Sequence, residues 1–386
     1  MSFFKKPLSA LGVDIGAGGI KLVELRQAKN RPQLWTYALV DETLDIHVKT
    51  APDKTPEQLR AESKSAPGGG VSMAKAVKKE APMTDLADPR IEKYARLLKL
   101  AAEKAKVTSR RVTASLPVSS VFHAVINMPK VPERELSHHV QAKVSKMLPR
   151  PIEEMQVVHQ VIPAPPGAEM KYMRLLVTAA PRDMVRFYTT IFQKAGLQLE
   201  ELETEAFALA RSLVGRDPAT AMVVDIGAER TNFFIIDQGL PLTHRSIQLG
   251  GHLLDRVLEQ ALGTGAESIA AIKADLSRLP PATLPNNLFI PIVDPVIKEI
   301  QYSFDLFLHQ TGNEGKRPEK IILTGGSAVF PPLVSLIAGA FPALRVFVGD
   351  PWARVVYQQG LKTLLDEVGP RMSVCIGLGL RGTVAK

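Results

Sequence analysis

The chain has 386 residues, 45% hydrophobic and 23% charged, an ordinary globular balance with length for two or three packed cores. Its net charge of +9 leaves nucleic acid, anionic lipid and acidic protein as partners, but only 6% of residues are aromatic and no aromatic–basic interleaving of an RNA-binding module occurs. The single cysteine, Cys375, excludes an intrachain disulfide and fits a reducing compartment, and no apolar run is long enough to span a bilayer.

The first seven residues carry Phe3, Phe4, Lys5 and Lys6 without the apolar stretch of a signal peptide, and are too few to anchor to a membrane alone. Residues 11–13 form an apolar strand that ends at Asp14, turns through Gly16, Gly18 and Gly19, and leaves as a second apolar run carrying Lys21. Glycines let a ligand approach the backbone, and successive N–H groups in such a turn form an anion nest. Read as a phosphate cradle, the turn aims Asp14 at a metal or its waters and Lys21 at phosphate oxygens. A plain β-hairpin is the alternative. Strands follow at 21–26 and 33–39. Residues 49–82 gather Lys54, Arg60, Lys64, Lys75, Lys78 and Lys79 around Ser65-Ala66-Pro67-Gly68-Gly69-Gly70 and read as a mobile insert.

Ile91, Tyr94, Leu97, Leu98, Ala101 and Ala102 make one face of a helix over 91–105, and 111–116 is a return strand. Residues 118–180 read differently: a strand at 121–128, a helix opening at Pro132-Glu133-Arg134-Glu135, and strands at 156–162 and 174–179 split by Ala164-Pro165-Pro166-Gly167. This strand–helix–strand–strand module cannot bury both its faces alone and must pack on its host. His138 and His139 are adjacent, so they point to two faces of the helix, which argues against a metal site there. A helix from 181 stops at Gly196. The acids Glu200, Glu201, Glu203 and Glu205 then suit the start of a helix over 203–214.

The second half repeats the opening. Val224-Asp225-Ile226-Gly227 copies Val13-Asp14-Ile15-Gly16, about 210 residues on, again between two apolar strands. Two similar domains then face one cleft, and both aspartates can hold Mg²⁺ through its waters. The Thr231 hydroxyl adds a phosphate contact. Gly250-Gly251 reads either as a close approach to phosphate or as a plain strand–helix joint. Beyond it come a helix over Ala266–Leu276 with Lys273, an irregular stretch over 280–295, an amphipathic helix over 296–307, and a turn at Gly325-Gly326-Ser327 against which a flat base can lie. No Walker A pattern occurs. Gly377, Gly379 and Gly382 match the dinucleotide spacing, but no βαβ unit follows, so this segment reads as the closing helix of the second domain.

Asp14-Ile15-Gly16, Asp225-Ile226-Gly227 and Leu323-Thr324-Gly325-Gly326-Ser327, in that order, resemble the actin/FtsA superfamily. The stretches LGVDIGAGGIKLVEL, EAFALAR, ILTGGSAVFPPL and IGLGLRG narrow the resemblance to the PilM family of type IV pilus assembly, over most of the chain outside 49–82. The resemblance implies an α/β, actin-like fold of two RNase H-like domains facing a nucleotide cleft that holds ATP and Mg²⁺. It implies subdomain 1A at 1–117 and 179–218, 1C at 118–178, 2A at 219–250 and 319–386, and 2B at 251–318. Asp14 and Asp225 would face Mg²⁺. Gly16, Gly18, Lys21, Gly227 and Thr231 would line the phosphates, and Gly250, Gly325, Gly326 and Ser327 the phosphates or nucleoside, with Lys273 toward the base. Glu205 would orient an attacking water, or else serve as a helix N-terminal charge. The bulky, charged Ala228-Glu229-Arg230 departs from the superfamily: Arg230 binds phosphate or keeps a water away, which leaves hydrolysis open. The implied role is an assembly scaffold on the cytoplasmic face of the inner membrane, binding the N-terminal tail of a PilN-type membrane protein between 1A and 1C. A small-metabolite kinase of the same superfold and an FtsA-like filament protein are the alternatives.

Overall fold

A computed structural model describes residues 9–28, 31–46, 88–162, 171–276, 286–310, 313 and 315–383. The insert at 49–82, the break at 164–167 and the first seven residues lie outside that set.

Two five-stranded sheets follow one plan. In the first, β1 (Ser9–Gly16), β2 (Gly19–Arg26) and β3 (Gln33–Asp41) form an antiparallel meander. Strand β4 (Arg111–Leu116) runs parallel to β1 and β8 (Gln198–Thr204) parallel to β4, giving the order β3-β2-β1-β4-β8. In the second, β9 (Ala221–Ile226), β10 (Thr231–Asp237) and β11 (Leu240–Ile247) form the meander. β12 (Lys320–Thr324) and β13 (Arg345–Val348) add in parallel, giving β11-β10-β9-β12-β13. The repeat seen in the sequence is thus a repeat of topology. β13 was not anticipated, because four residues carry too little alternation to read.

The inner strands are covered on both faces, which is why they are runs of apolar residues rather than alternations. On one face of the first sheet, Leu11, Val13 and Ile20 meet Ile91, Tyr94 and Leu98 of α1 (Pro89–Lys104) and Phe187, Tyr188 and Ile191 of α3 (Arg182–Lys194). Asp88 caps α1 by accepting from the Arg90 N–H. On the second sheet, Val224, Phe233 and Leu323 meet Val296, Ile300 and Phe307 of α7 (Ile290–Leu308). That helix starts at Ile290 and includes Pro295, so the end of the stretch expected to be irregular over 280–295 is helical, while 280–285 lie outside the described residues. The proline lies in the second turn, where its missing N–H forgoes a bond to the Pro291 carbonyl.

The third sheet, β5-β7-β6, is built from β5 (Phe122–Pro129), β6 (Met155–Ile162) and β7 (Tyr172–Pro181), with α2 (Glu133–Val144) on one face. Leu136, Val140 and Val144 of α2 pack on Ile126, Met128, Leu175, Val177 and Val157. This is the expected strand–helix–strand–strand order.

Two expectations are corrected. Glu200, Glu201 and Glu203 do not start a helix. They lie on β8 and are held by arginines: Glu200 by Arg111 at 2.6 Å and Glu201 by Arg381 at 3.0 Å, both remote in sequence, and Glu203 by Arg211, eight residues on. The helix α4 (Glu205–Leu209) starts only at Glu205 and runs into a π turn over Ala210–Val214. Secondly, the closing helix α9 (Lys362–Thr383) packs against the first domain's strands. Its Met372, Cys375, Ile376 and Leu380 meet Val23 and Leu25, and it lies along β1, β2, β4 and α4. Glycines make this approach possible: a Cβ at Gly12 would stand 2.1 Å from the Cys375 carbonyl oxygen, and one at Gly377 1.9 Å from that of Ala208. α9 still reaches the second sheet, because the Pro370 carbonyl accepts from the Gly325 N–H and the Thr324 hydroxyl, each at 3.0 Å. Among the described residues no helix is long and apolar enough to cross a membrane.

Candidate functional site

The two Asp-Ile-Gly strands end at a common cleft of about 600 Å³. The first turn is a hairpin, with Gly16 paired to Gly19 across Ala17-Gly18. It meets the second turn directly, since a Cβ at Gly18 would lie 3.1 Å from the Ala228 Cβ. Asp14 is held from two sides: the Ser115 hydroxyl donates to Oδ1 at 2.7 Å, and Lys21 Nζ donates to Oδ2 at 3.2 Å. Lys21 therefore spends its charge on Asp14, and its end lies over Gly16, where an added Cβ would be 3.2 Å from Nζ. Gly325 lies against the second turn, with φ +92° and its Cβ position 2.6 Å from Asp225 Oδ1 and 2.4 Å from the Ile226 carbonyl. Only glycine fits there.

Of the residues selected from the sequence, Asp14, Gly16, Gly18, Lys21, Glu205, Asp225, Gly227, Lys273, Gly325, Gly326 and Ser327 line this cleft, as does Arg230. Lys273 is held by Asp255 at 2.6 Å. Two do not line it. Thr231 is fully buried and its hydroxyl donates to the Leu249 carbonyl at 2.7 Å, so it makes no phosphate contact. Gly250 serves the strand–helix joint: a Cβ there would stand 2.6 Å from the carbonyl oxygens of Gly227 and Ala228. Its neighbour Gly251, first residue of α5 (Gly251–Leu262), takes the place on the cleft wall. Sequence reading missed Asn232, whose Nδ2 is 3.5 Å from Glu205 Oε2, and the Arg371–Asp41 ion pair at the mouth. Asn232 was legible in principle, since it pairs with Asp225 across β9–β10. Asp41 and Arg371 are 330 positions apart, and no pattern joins them.

Three carboxylates and one ammonium share the floor. Burial works against the Lys21 ammonium, and Asp14 beside it more than restores it, so its pKa lies above the ordinary value. Burial, then the Asp14 charge, lifts Asp225 to about 6 against the pull of Lys21. Burial, then Asp14 and Asp225, lifts Glu205 to about 8, although its Oε2 accepts the Val118 N–H at 3.2 Å. The floor is short of positive charge, which a hydrated divalent cation would supply. Among the described residues no three of His, Cys, Asp and Glu are placed to ligate a metal directly.

The raised Glu205 has a measurable consequence. The folded chain holds its proton up to about pH 8, whereas the unfolded chain releases it near the ordinary carboxylate value. The folded state therefore binds more protons across that window, and stability falls as pH rises through it. Asp225 adds to the lower part of the fall. Glu205→Gln keeps the shape and is expected to flatten the decline of Tm between about pH 5 and pH 8. An unchanged Tm profile would contradict this placement.

A second groove, of about 420 Å³, lies between the third sheet and the first domain. Gln156, Val158 and Gln160 of β6 form one wall and β8 the other, with Leu116, Leu176, Val185 and Phe207 between them. The groove and the cleft adjoin at the start of α4: Thr204 and Phe207 line the groove, and Glu205 lines the cleft.

The family model for type IV pilus assembly protein PilM matches residues 71–383. The chain belongs to the PilM family. The solved PilM–PilN type IV pilus biogenesis complex is similar in fold to this PilM-family chain: TM-score 0.72 at 23% identity, over 97% of this chain and 99% of that one. So is ethanolamine utilization protein EutJ from Carboxydothermus hydrogenoformans: TM-score 0.50 at 15% identity, over 97% of this chain and 90% of that one. Cell division protein FtsA from Enterococcus faecalis is 24% identical over 198 residues, and its counterpart from Streptococcus pneumoniae is 25% identical over 189. The chain spans less than half the length of these FtsA relatives: 44% and 41% of them, for 46% and 44% of its own. The fold is therefore actin-like, as the paired motifs led us to expect.

Proposed function

We propose that this chain is a nucleotide-binding scaffold of type IV pilus assembly. It holds the N-terminal tail of a PilN-type membrane protein in the groove between β6 and β8, and ATP with Mg²⁺ in the cleft. The observation that carries the reading is the pairing of the two sites. The cleft between the two paired turns adjoins, at Thr204, Glu205 and Phe207, a groove of about 420 Å³. A PilM relative of known structure is in complex with PilN, and among the described residues the groove suits such a tail.

In the cleft, Asp14 and Asp225 would receive the waters of Mg²⁺. The turns at Gly16–Gly18 and Gly227 would offer N–H groups to phosphates, and Gly325-Gly326-Ser327 would border the nucleoside. The chain's own contribution to chemistry is limited. Glu205 holds a proton at neutral pH and so is a poor base for activating water until a cation lowers its pKa. A tail held in this way would place the chain at the inner face of the inner membrane through its partner. The FtsA relatives match less than half of the chain, whereas the PilM family model matches residues 71–383, which favours the scaffold over the filament and kinase readings.

Calorimetric titration with a synthetic peptide of the PilN-type tail tests the groove. Val158 is 56% exposed, so Val158→Glu is expected to leave the fold intact, with an unchanged Tm as the check. It sets a charge in the wall and is expected to weaken the peptide by about tenfold or more. Equal binding by both proteins would remove the groove from the account.

A further inference from the structure

The groove has an unusual wall. Among the described residues no strand pairs with the outer edge of β6 or of β8. Open edges are ordinarily guarded by charged side chains or proline, because an unpaired row of N–H and C=O groups recruits other strands. β8 carries three glutamates, all in ion pairs. β6 (MQVVHQVI) carries no Lys, Arg, Asp, Glu or Pro, and exposes Val158 and Val161 at 56% and 46%. An edge of eight residues without Lys, Arg, Asp, Glu or Pro is open to pairing unless it is covered.

Both sides of that edge are hollow. One is the 420 Å³ groove already described. The other, of about 300 Å³, lies between β6 and α2 and is lined by Ser137, Val140, Gln141 and Val157, sharing Val158 and His159 with the groove. The two open to opposite faces of the third sheet: Leu175 and Val177 of β7 pack toward α2, while Leu176, Thr178 and Ala180 line the groove. A third observation points the same way. Thr204 is 2% exposed, lines the groove, and its Oγ1 has no hydrogen-bond partner among the described residues. A buried hydroxyl left without a partner is costly, and an occupant would satisfy it.

We infer that the tail adds to the outer edge of β6 as a fourth strand, its side chains alternating between the groove and the α2 hollow. The inference rests on the tail-binding reading of the groove. It specifies the ligand's form: an extended segment of about six to eight residues whose side chains alternate, since successive side chains of a strand point to opposite faces. Apolar side chains at every second position enter the groove, against Leu116, Leu176, Val185 and Phe207. The intervening ones enter the smaller hollow, where Ser137, Gln141 and His159 accept short or polar groups. Backbone hydrogen bonds supply affinity, and the two pockets supply register.

A scan in which each amide of the tail peptide is N-methylated in turn, read by calorimetry on the full chain, tests this. Methylation at every second residue is expected to cost about tenfold or more, with the alternate positions within about threefold. Hydrogen exchange of β6 amides should slow when the unmodified peptide is bound. Binding of the unmodified peptide with no two-residue period in the scan, and no protection of β6, overturns the inference alone. No binding at all overturns the tail-binding reading with it. Concentration-dependent dimerisation of the free chain, abolished by Val158→Glu, would assign the edge to a second copy and contradict the proposal.

Discussion

Asp14→Asn is expected to weaken ATP–Mg²⁺ binding by about a hundredfold or more, close to 3 kcal/mol at 1.4 kcal/mol per tenfold. The substitution keeps the shape and an acceptor for the Ser115 hydroxyl, but removes the charge that faces both Lys21 and the proposed cation. It also leaves the buried Lys21 ammonium without its partner. Breaking a buried pair costs up to about 3–5 kcal/mol, offset here by the nearby Asp225. A loss of binding could then be blamed on a loosened fold. Asp14→Asn combined with Lys21→Met separates the two effects. With no stranded charge, the double variant should recover most of the lost Tm and still fail to bind nucleotide. Wild-type affinity in Asp14→Asn, measured by calorimetry at equal free Mg²⁺, would show that the carboxylate does not face the ligand.

The largest effect on stability is expected at Gly377. A Cβ there would stand 1.9 Å from the Ala208 carbonyl oxygen and 2.5 Å from its carbonyl carbon. Both are backbone atoms of α4, so no flexible side chain can swing aside. Gly377→Ala must push α9 off α4, and α9 also covers β1, β2 and β4 and holds the Gly325 turn through Pro370. A loss of about 3 kcal/mol or more is expected, the upper range for overpacking. Gly12→Ala should behave alike, because its Cβ would meet the Cys375 oxygen from the opposite side. Gly339→Ala is the control: it lies in α8 (Pro331–Ala340) with nothing within 4 Å and should be neutral or stabilising by up to about 1 kcal/mol. Denaturant melts of the three variants decide the matter. A Gly377→Ala melt within error of wild type would mean that α9 is not seated as described.

The same α9 shows where sequence reading stops. Its glycine spacing could be recognised as close packing, but a spacing does not say which sheet is approached. That depended on Gly12, in a strand read only for its turn. The duplicated Val-Asp-Ile-Gly strands were legible because a central strand must be apolar throughout and its end must carry the polar group. They led to the cleft and to the residues of its two paired turns; Gly325, Gly326 and Ser327 were legible as a turn of their own, and Glu205 and Lys273 followed only from the family resemblance. Thr231 and Gly250 were misplaced for a common reason. A residue beside a ligand turn faces either the ligand or the neighbouring chain, and periodicity alone does not choose. Glu200 and Glu201 resembled a helix start because their partners Arg111 and Arg381 come from distant elements, and only Arg211, the partner of Glu203, is near in sequence. The peptide groove had no signal of its own, but the uncharged run of β6 was in plain view and gained meaning once β6 was seen to be an edge.

The central claim is that this PilM-family chain holds a PilN-type tail against β6. It is tested most directly by capture from native membranes with the full chain, wild type and Val158→Glu side by side, identifying what is retained by mass spectrometry. The account predicts that a PilN-type protein is recovered by the wild type and lost with the variant. Recovery of that protein equally by both would contradict it.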